Sequence, residues 1–269
     1  MKLAILGAGV MGETLLAGLL KSGWGRDDIL ATDRRDFRRR ELVERYGIQM
    51  VSNADAAARA DTVVLVVKPQ DLGDLLAEIR PTLRSGTLVV SLCAGAPTDL
   101  IEGQLDEGAP VVRVMPNTPA QVSEGMAAIS PGRHATSEHL ARVTEILLAV
   151  GKVVTVPERY QDAVTAISGS GPAYLFFVVE AMIDAGVMLG LPRDTATQLV
   201  VQTMYGSAKL LRETGQHPTR LREMVTSPGG TTAAALRQLE DHRVKAAFMT
   251  AMEAACERSR ALADAARQH

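Results

Sequence analysis

Two stretches of this 269-residue chain bring residue types together in patterns that could do chemistry. The first is TSPGGTTAAAL, residues 226 to 236, where Ser227, Gly230, Thr231 and Thr232 stand before an Ala-rich run without one charged side chain. The first turn of a helix points unpaired N–H groups outward and carries a partial positive charge, which together make an anion site. A plain cap needs only one Ser or Thr. The surplus of hydroxyls and bare backbone points instead to a ligand carboxylate. Backbone N–H groups around Gly230, Thr231 and Thr232 would grip it, Ser227 would add a hydroxyl, and a threonine hydroxyl could bond a ring nitrogen.

The second stretch is AILGAGVMGETLLAGLL, in which Gly7, Gly9 and Gly12 follow an apolar run as G-x-G-x-x-G, with Val10 and Met11 opening the next helix. Gly7 allows a tight turn, Gly9 lets backbone approach a pyrophosphate, and Gly12 permits close helix packing. That context predicts a bound dinucleotide, although adenosyl donors such as S-adenosylmethionine use the same fingerprint. A P-loop kinase is excluded because no G-K-[ST] follows. Further on, ATDRRDFRRR puts Asp33 about twenty residues past the glycines, where NAD enzymes bond the ribose hydroxyls. Arg34 and Arg35 come next, and paired guanidinium N–H groups suit the 2′-phosphate of NADP. The two signals conflict. Two guanidiniums beside one carboxylate favour NADPH, with NADH left open, and Arg38, Arg39 and Arg40 read as a solvated helix face.

What is missing narrows the reaction. A dehydrogenase acting on an alcohol needs a base, usually His, Lys or Tyr. His134, His139, His217, His242 and His269 all lie outside Gly-rich or strand-end contexts, so they read as surface or structural groups. Tyr174, within SGSGPAY, reads either as a site residue or as packing at a helix bend. Without a strong base, the fitting reaction is hydride addition to an activated, cationic C=N bond. Such a reaction needs a positioned cofactor, an anion site and one hydrogen-bonding group at nitrogen.

These residues need elements to position them. Up to residue 156, seven short β-rich runs (KLAILG, ILATD, TVVLVVK, LVVSLC, PVVRVM, MAAIS, KVVTVP) alternate with helical patterns. Several runs are nearly continuous in Val, Leu and Ile, as in parallel strands covered on both faces. The expected fold is α/β, an N-terminal Rossmann doubly wound sheet (1–156, dinucleotide-binding) with an all-helical C-terminal domain (157–269, substrate-binding and dimerisation). Tyr160 to Gly190 reads as one long helix interrupted at GSGPAY, with two more long helices behind it.

The totals set outer limits. The chain is 46% hydrophobic and 22% charged, enough apolar residue for a sizeable core. A formal charge of −2 gives no general attraction for nucleic acid or an anionic membrane. Cys93 and Cys256 lie far apart without metal-ligand spacing, so neither a metal site nor a disulfide framework is expected, and a reducing compartment fits. No cleavage-site pattern follows MKLAILGAG, and no run approaches the roughly 20 apolar residues of a membrane span, so a cytoplasmic protein is expected. Helices so rich in Ala, Met and Leu would leave an apolar face. A homodimer through the C-terminal helices is therefore expected, the alternative being a self-contained bundle.

Taken together, AILGAGVMG (4–12), VVKPQ (66–70), VVRVMPNTPA (111–120), AISGSGPAY (166–174), GLPRDTA (190–196) and LREMVTSPGGTT (221–232) resemble pyrroline-5-carboxylate reductase over practically the whole chain. The resemblance implies NAD(P)H-dependent reduction of 1-pyrroline-5-carboxylate to L-proline, by a dimer interlocked through its helical domain and often stacked into larger rings. It implies that Thr232 bonds the substrate ring nitrogen and that Ser227, Gly230 and Thr231 hold its carboxylate. Asn53 would contact ribose or phosphate, or serve as an ordinary N-cap. Val67, Lys68 and Pro69 would lie along adenosine and ribose, Met115, Pro116, Asn117 and Thr118 would border the nicotinamide, and Ser168, Gly169 and Ser170 would pack near the substrate loop. An acidic residue that some relatives carry just before QHP is Gly215 here, so no role for it transfers. Two rivals remain. A β-hydroxyacid or 6-phosphogluconate type dehydrogenase would need Lys209 or Lys245 as its catalytic lysine, and a dinucleotide-binding sensor would turn nothing over.

Overall fold

The structure, a computed structural model, describes residues 2–267; Gln268 and His269 lie outside the described residues. Eight strands form one sheet: β1 (Leu3–Leu6), β2 (Ile29–Thr32), β3 (Gln49–Met50), β4 (Thr62–Leu65), β5 (Leu88–Ser91), β6 (Val111–Met115), β7 (Gly125–Pro131) and β8 (Gly151–Thr155). Their order is β3-β2-β1-β4-β5-β6-β7-β8, and every pairing is parallel except β6 with β7. All seven runs expected as strands are strands. The eighth, β3, is a two-residue edge strand.

Helices α1 (Val10–Lys21), α2 (Asp36–Tyr46), α3 (Asn53–Arg59), α4 (Leu72–Ile79), α5 (Thr98–Glu102) and α6 (Ser137–Leu148) fill the connections. Because side chains alternate along a strand, β1 feeds two cores at once. Leu3 and Ile5 join Leu15, Leu16 and Leu19 of α1 and Ile146 of α6, while Ala4 and Leu6 join Leu75 and Leu76 of α4. Burying one such leucine is worth about 1.5–3 kcal/mol, so these two cores fix the sheet and its helices rigidly. The strand order reverses at β1, which pairs with β2 on one side and β4 on the other. Leu6, Thr32 and Leu65 end level across that reversal. The segments leaving these three carboxyl ends therefore start along one edge of the sheet, the usual place for a ligand in such folds.

Past β8 the chain is helical: a tight turn at Glu158–Tyr160, α7 (Gln161–Val164), a π-helical turn at Thr165–Gly169, α8 (Gly171–Met188), α9 (Arg193–Thr214), α10 (Pro218–Met224), α11 (Thr231–Asp241) and α12 (Val244–Ala266). The interruption expected at GSGPAY is this π turn, where Ser170 N–H reaches back five residues to Thr165 O at 2.8 Å.

Two compact units divide the chain. One comprises everything up to Ser170 plus the end of α12 from Ala255; the other is Gly171–Ala254. The sheet stops at Thr155, yet the first helical segment stays with it because of specific polar ties. Buried Gln161 donates to Ser130 Oγ at 2.7 Å and to Ala128 O at 3.3 Å. Ser259 of α12 donates to Asp162 Oδ1 at 2.7 Å.

One expectation needs correction. Glu158–Met188, 31 residues with an 18-residue window of mean hydropathy 1.4, is long and apolar enough, by length and composition, to cross a membrane. Pro172 and the glycines around it break the run visually but barely lower its hydropathy. In the second unit that apolar character is on the surface: Phe176, Phe177, Met188 and Leu189 are 67%, 71%, 82% and 81% exposed.

Candidate active site

The glycine turn leaves β1 as expected. Gly7 has φ +100°, a conformation side chains rarely adopt, and a Cβ there would lie 2.7 Å from Val66 O. A Cβ on Gly12 would strike Gly7 O, whereas one on Gly9 would meet nothing within 4 Å. Gly7 and Gly12 thus make the turn possible, and Gly9 keeps its outer side open. Gly7 and Ala8 N–H both donate to Thr32 O, at 3.2 and 2.8 Å, which seats the turn on the end of β2. Helix α1 then starts at Gly9 with no side-chain cap, so the first-turn N–H groups of Val10, Met11 and Gly12 are left for an anion. Open space at Gly9 beside an uncapped helix start is what a pyrophosphate needs, and these residues fit a dinucleotide.

Around the turn the structure gives the arginines distinct jobs. Asp33 is held by Arg35 through the backbone N–H (2.9 Å) and through Nε and Nη2 (3.0 Å each). Burial raises the Asp33 carboxyl, but these hydrogen bonds and the Arg35 charge outweigh it and hold it below the usual aspartate range. Arg34 is far more exposed and, among the described residues, reaches only Asp71, at 3.5 Å.

Arg38 corrects the expectation of a solvated helix face. Its side chain is largely buried, donating through Nε to Ala8 O at 3.2 Å, to Glu41 at 2.7 Å and to Glu13. Glu13 also accepts from Tyr46 (2.9 Å) and Arg45 (3.0 Å). Burial pushes the Glu13 carboxyl up, and hydrogen bonds from Arg38 and Tyr46 with the nearby guanidinium charges bring it below its ordinary value. The whole set clamps the glycine turn from outside. Glu13 and Tyr46 escaped notice in the sequence, where nothing but Glu13's place in the first turn of α1 marks them.

Asn53 is not the cap of α3; Ser52 is, accepting from Asp55 N–H at 3.1 Å. Asn53 instead accepts from Thr32 Oγ1 at 2.6 Å and donates to Glu78 at 2.8 Å, beside the end of β2. Val67 packs against Gly7, while Lys68 and Pro69 are exposed just beyond β4. At the end of β6, Asn117 is a brace: Nδ2 donates to Ser168 O at 3.2 Å, and Oδ1 accepts from Met126 N–H at 2.8 Å. Met115 abuts Gly169 so closely that a Cβ there would collide with Met115 Cε. Met11, Leu92, Pro116 and Asn117 line one small apolar pocket. The π turn is thus fitted to the β6 end.

In the second unit, α11 starts at Gly230, with Gly229 at φ +70° and no side-chain cap. Gly230 N–H donates to Ser227 O at 3.1 Å. A Cβ on Gly230 would strike Ser227 Oγ; the residue serves by lacking one. The N–H groups of Thr231 and Thr232 have no partner among the described residues and remain as donors, next to the exposed Ser227 and half-buried Thr232 side chains.

The histidines within the described residues are structural or exposed. His139 completes a capping box with Thr136 at the start of α6, and His217 caps α10 by accepting from Thr219 N–H. Lys209 is an exposed partner of Glu213 at 3.8 Å, and Lys245 is exposed.

A doubly wound sheet whose switch point carries an uncapped glycine turn, followed by a second, helical unit, defines a dinucleotide-binding class of protein. Residues 2–95 match the family described as NADP oxidoreductase, coenzyme F420-dependent, and residues 158–262 match that of pyrroline-5-carboxylate reductase dimerisation. Pyrroline-5-carboxylate reductase of Corynebacterium melassecola is 46% identical over 97% of this chain and 98% of its own length. Among solved structures, a pyrroline-5-carboxylate reductase from Coxiella burnetii aligns with a TM-score of 0.93 at 35% identity, covering 97% of this chain and 98% of that one. The Plasmodium falciparum pyrroline carboxylate reductase, solved with NADP bound, aligns with a TM-score of 0.88 at 33% identity, covering 98% of each. This chain belongs to the pyrroline-5-carboxylate reductase family.

Proposed function

We propose that this protein reduces 1-pyrroline-5-carboxylate to L-proline with NADPH, NADH being the weaker alternative. The observation that carries the reading is the start of α11, where two unpartnered N–H groups, a serine hydroxyl and a threonine hydroxyl surround a bare glycine. Such a set suits a small cyclic imino acid. The N–H groups of Thr231 and Thr232 with Ser227 Oγ hold its carboxylate, and Thr232 Oγ1 bonds its ring nitrogen.

A bound nicotinamide would supply the hydride that C5 of the ring needs. The C=N π electrons pass to nitrogen, which carries its proton beforehand or gains it through Thr232 and water. Uncapped helix N–H groups act here as fixed positive partial charge, holding the anion in place without needing to titrate. The glycine turn with Val10, Met11 and Asn53 would take the pyrophosphate and ribose. Asp33, Arg34, Arg35, Val67, Lys68 and Pro69 would flank the adenosine side, and Met115 and Asn117 the nicotinamide side.

On this reading residues 1–156 bind the dinucleotide, and 157–269 serve the substrate and a second copy. The match to a dimerisation family and the exposed Phe176, Phe177, Met188 and Leu189 support a homodimer through the C-terminal helices, with rings of dimers as the larger assembly. Free thiols at Cys93 and Cys256 suit a cytoplasmic setting. The test is direct: adding 1-pyrroline-5-carboxylate to protein and NADPH should oxidise the cofactor and yield proline in equal amount. No cofactor oxidation would remove the proposal.

A further inference from the structure

The end of β2 holds a carboxylate that is out of use. Asp33 stands where a dinucleotide's ribose hydroxyls would find an acceptor, yet both of its oxygens are occupied by Arg35 at 2.9 to 3.0 Å. The Asp33 side chain is 5% exposed, against 49% for Arg35. Arg35 is further steadied by Phe37, whose ring centroid lies 5.6 Å from the guanidinium carbon. The fork therefore turns an anionic position outward as a cationic one. Arg34, with a single contact at 3.5 Å, has no such hold on Asp33.

We propose that Arg35 sets the choice of cofactor by masking Asp33: the intact fork disfavours the free ribose hydroxyls of NADH and presents guanidinium charge to the 2′-phosphate of NADPH, and breaking it uncovers a latent NADH site. The inference rests on the reading of the glycine turn as a dinucleotide site. It goes further in making the two residues one device rather than two opposing signals. A carboxylate already accepting three N–H bonds has little capacity left for ribose hydroxyls, and its charge is compensated, so it no longer repels a phosphate.

Binding calorimetry on the full chain tests this without turnover, using NADPH, NADH and the fragments 2′,5′-ADP and 5′-AMP. In Arg35→Ala the NADPH to NADH affinity ratio should fall about tenfold or more, with NADH itself binding more tightly and 2′,5′-ADP more weakly. Arg34→Ala should move the ratio less. In the double variant Asp33→Asn with Arg35→Ala the NADH gain should vanish while the NADPH loss stays, because the gain belongs to Asp33. Arg35→Lys keeps the charge but cannot fork both oxygens, so it should shift the ratio in the same direction by about threefold. Equal weakening of both cofactors in Arg35→Ala, an unmoved ratio in Arg35→Lys, or an NADH gain that survives without Asp33 would overturn the proposal. Failure of the unaltered protein to reduce pyrroline-5-carboxylate would instead count against the proposed function and leave these ratios standing.

Discussion

Helices α1 and α11 both begin on a glycine without a side-chain cap, whereas α3 and α6 begin on Ser52 and Thr136, whose hydroxyls accept the Asp55 and His139 N–H groups. These two glycine starts are built very differently. The turn before α1 is seated on Thr32 O, packed so that Gly12 tolerates no Cβ, and clamped through Ala8 O by Arg38. The start of α11 is held by one turn bond, Gly230 N–H to Ser227 O, and lies largely exposed. The contrast teaches that a missing cap alone marks nothing, since α2, α4, α5 and α9 lack one too, and that the surroundings of the helix start are what the proposed function rests on. A rigid, core-anchored cradle suits a large cofactor, and an open one made of small side chains suits a small acid.

Four variants break or sharpen that contrast. The largest effect should come from Gly12→Ala, which forces the turn apart at an overpacking cost of about 1–3 kcal/mol; NADPH affinity should fall by up to about 100-fold, read by fluorescence titration. Unchanged affinity would mean that the α1 cradle is less rigid than its packing implies. Next, Thr232→Ala should remove a hydrogen bond to a charged group, about 1–3 kcal/mol, lowering kcat/KM roughly 5- to 150-fold with the NADPH Kd unmoved. A Kd that moved as well would erase the distinction between the two grips. Ser227→Ala should be milder, because the carboxylate keeps its two backbone N–H donors: about 1.5 kcal/mol, the low end for a hydrogen bond to a charged group, appearing mainly as a higher substrate KM because the carboxylate is held alike in ground and transition states. A drop in kcat with KM constant would reassign Ser227 to the chemical step.

Smallest is the acid response of the clamp. The folded Glu13 carboxyl lies below the ordinary glutamate value of 4.5, so its contribution to stability is present above that value and lost as pH falls below it through the folded value. Glu13→Gln should therefore lower Tm at neutral pH, and the gap to the unaltered protein should close as the solution is acidified below 4.5. A gap that widened on acidification would contradict the clamp.

Much of this arrangement was legible in the sequence, for identifiable reasons. Continuous Val, Leu and Ile in TVVLVVK and LVVSLC can only be satisfied by strands covered on both faces, and β4 and β5 are fully buried. Gly7 and Gly12 were legible because their roles are steric and local. By contrast β3 has two residues and no periodicity to display, and the antiparallel β7 depends on a chain reversal that hydropathy does not encode. Arg38 was misread because α2 is polar on most of its surface, and only the approach of α1 makes one of three adjacent arginines a buried clamp. At the substrate end, surplus small residues marked the loop, but the pairing of Gly230 N–H with Ser227 O needed coordinates. Hydropathy broken by glycine and proline likewise hid how apolar Glu158–Met188 is.

The most direct test is a crystal structure of the protein with L-proline and oxidised NADP. The proline carboxylate is expected within hydrogen-bond distance of the Thr231 and Thr232 N–H groups and Ser227 Oγ, with its ring nitrogen on Thr232 Oγ1. A proline bound elsewhere, with only solvent at the start of α11, would contradict the assignment of that helix start as the substrate grip.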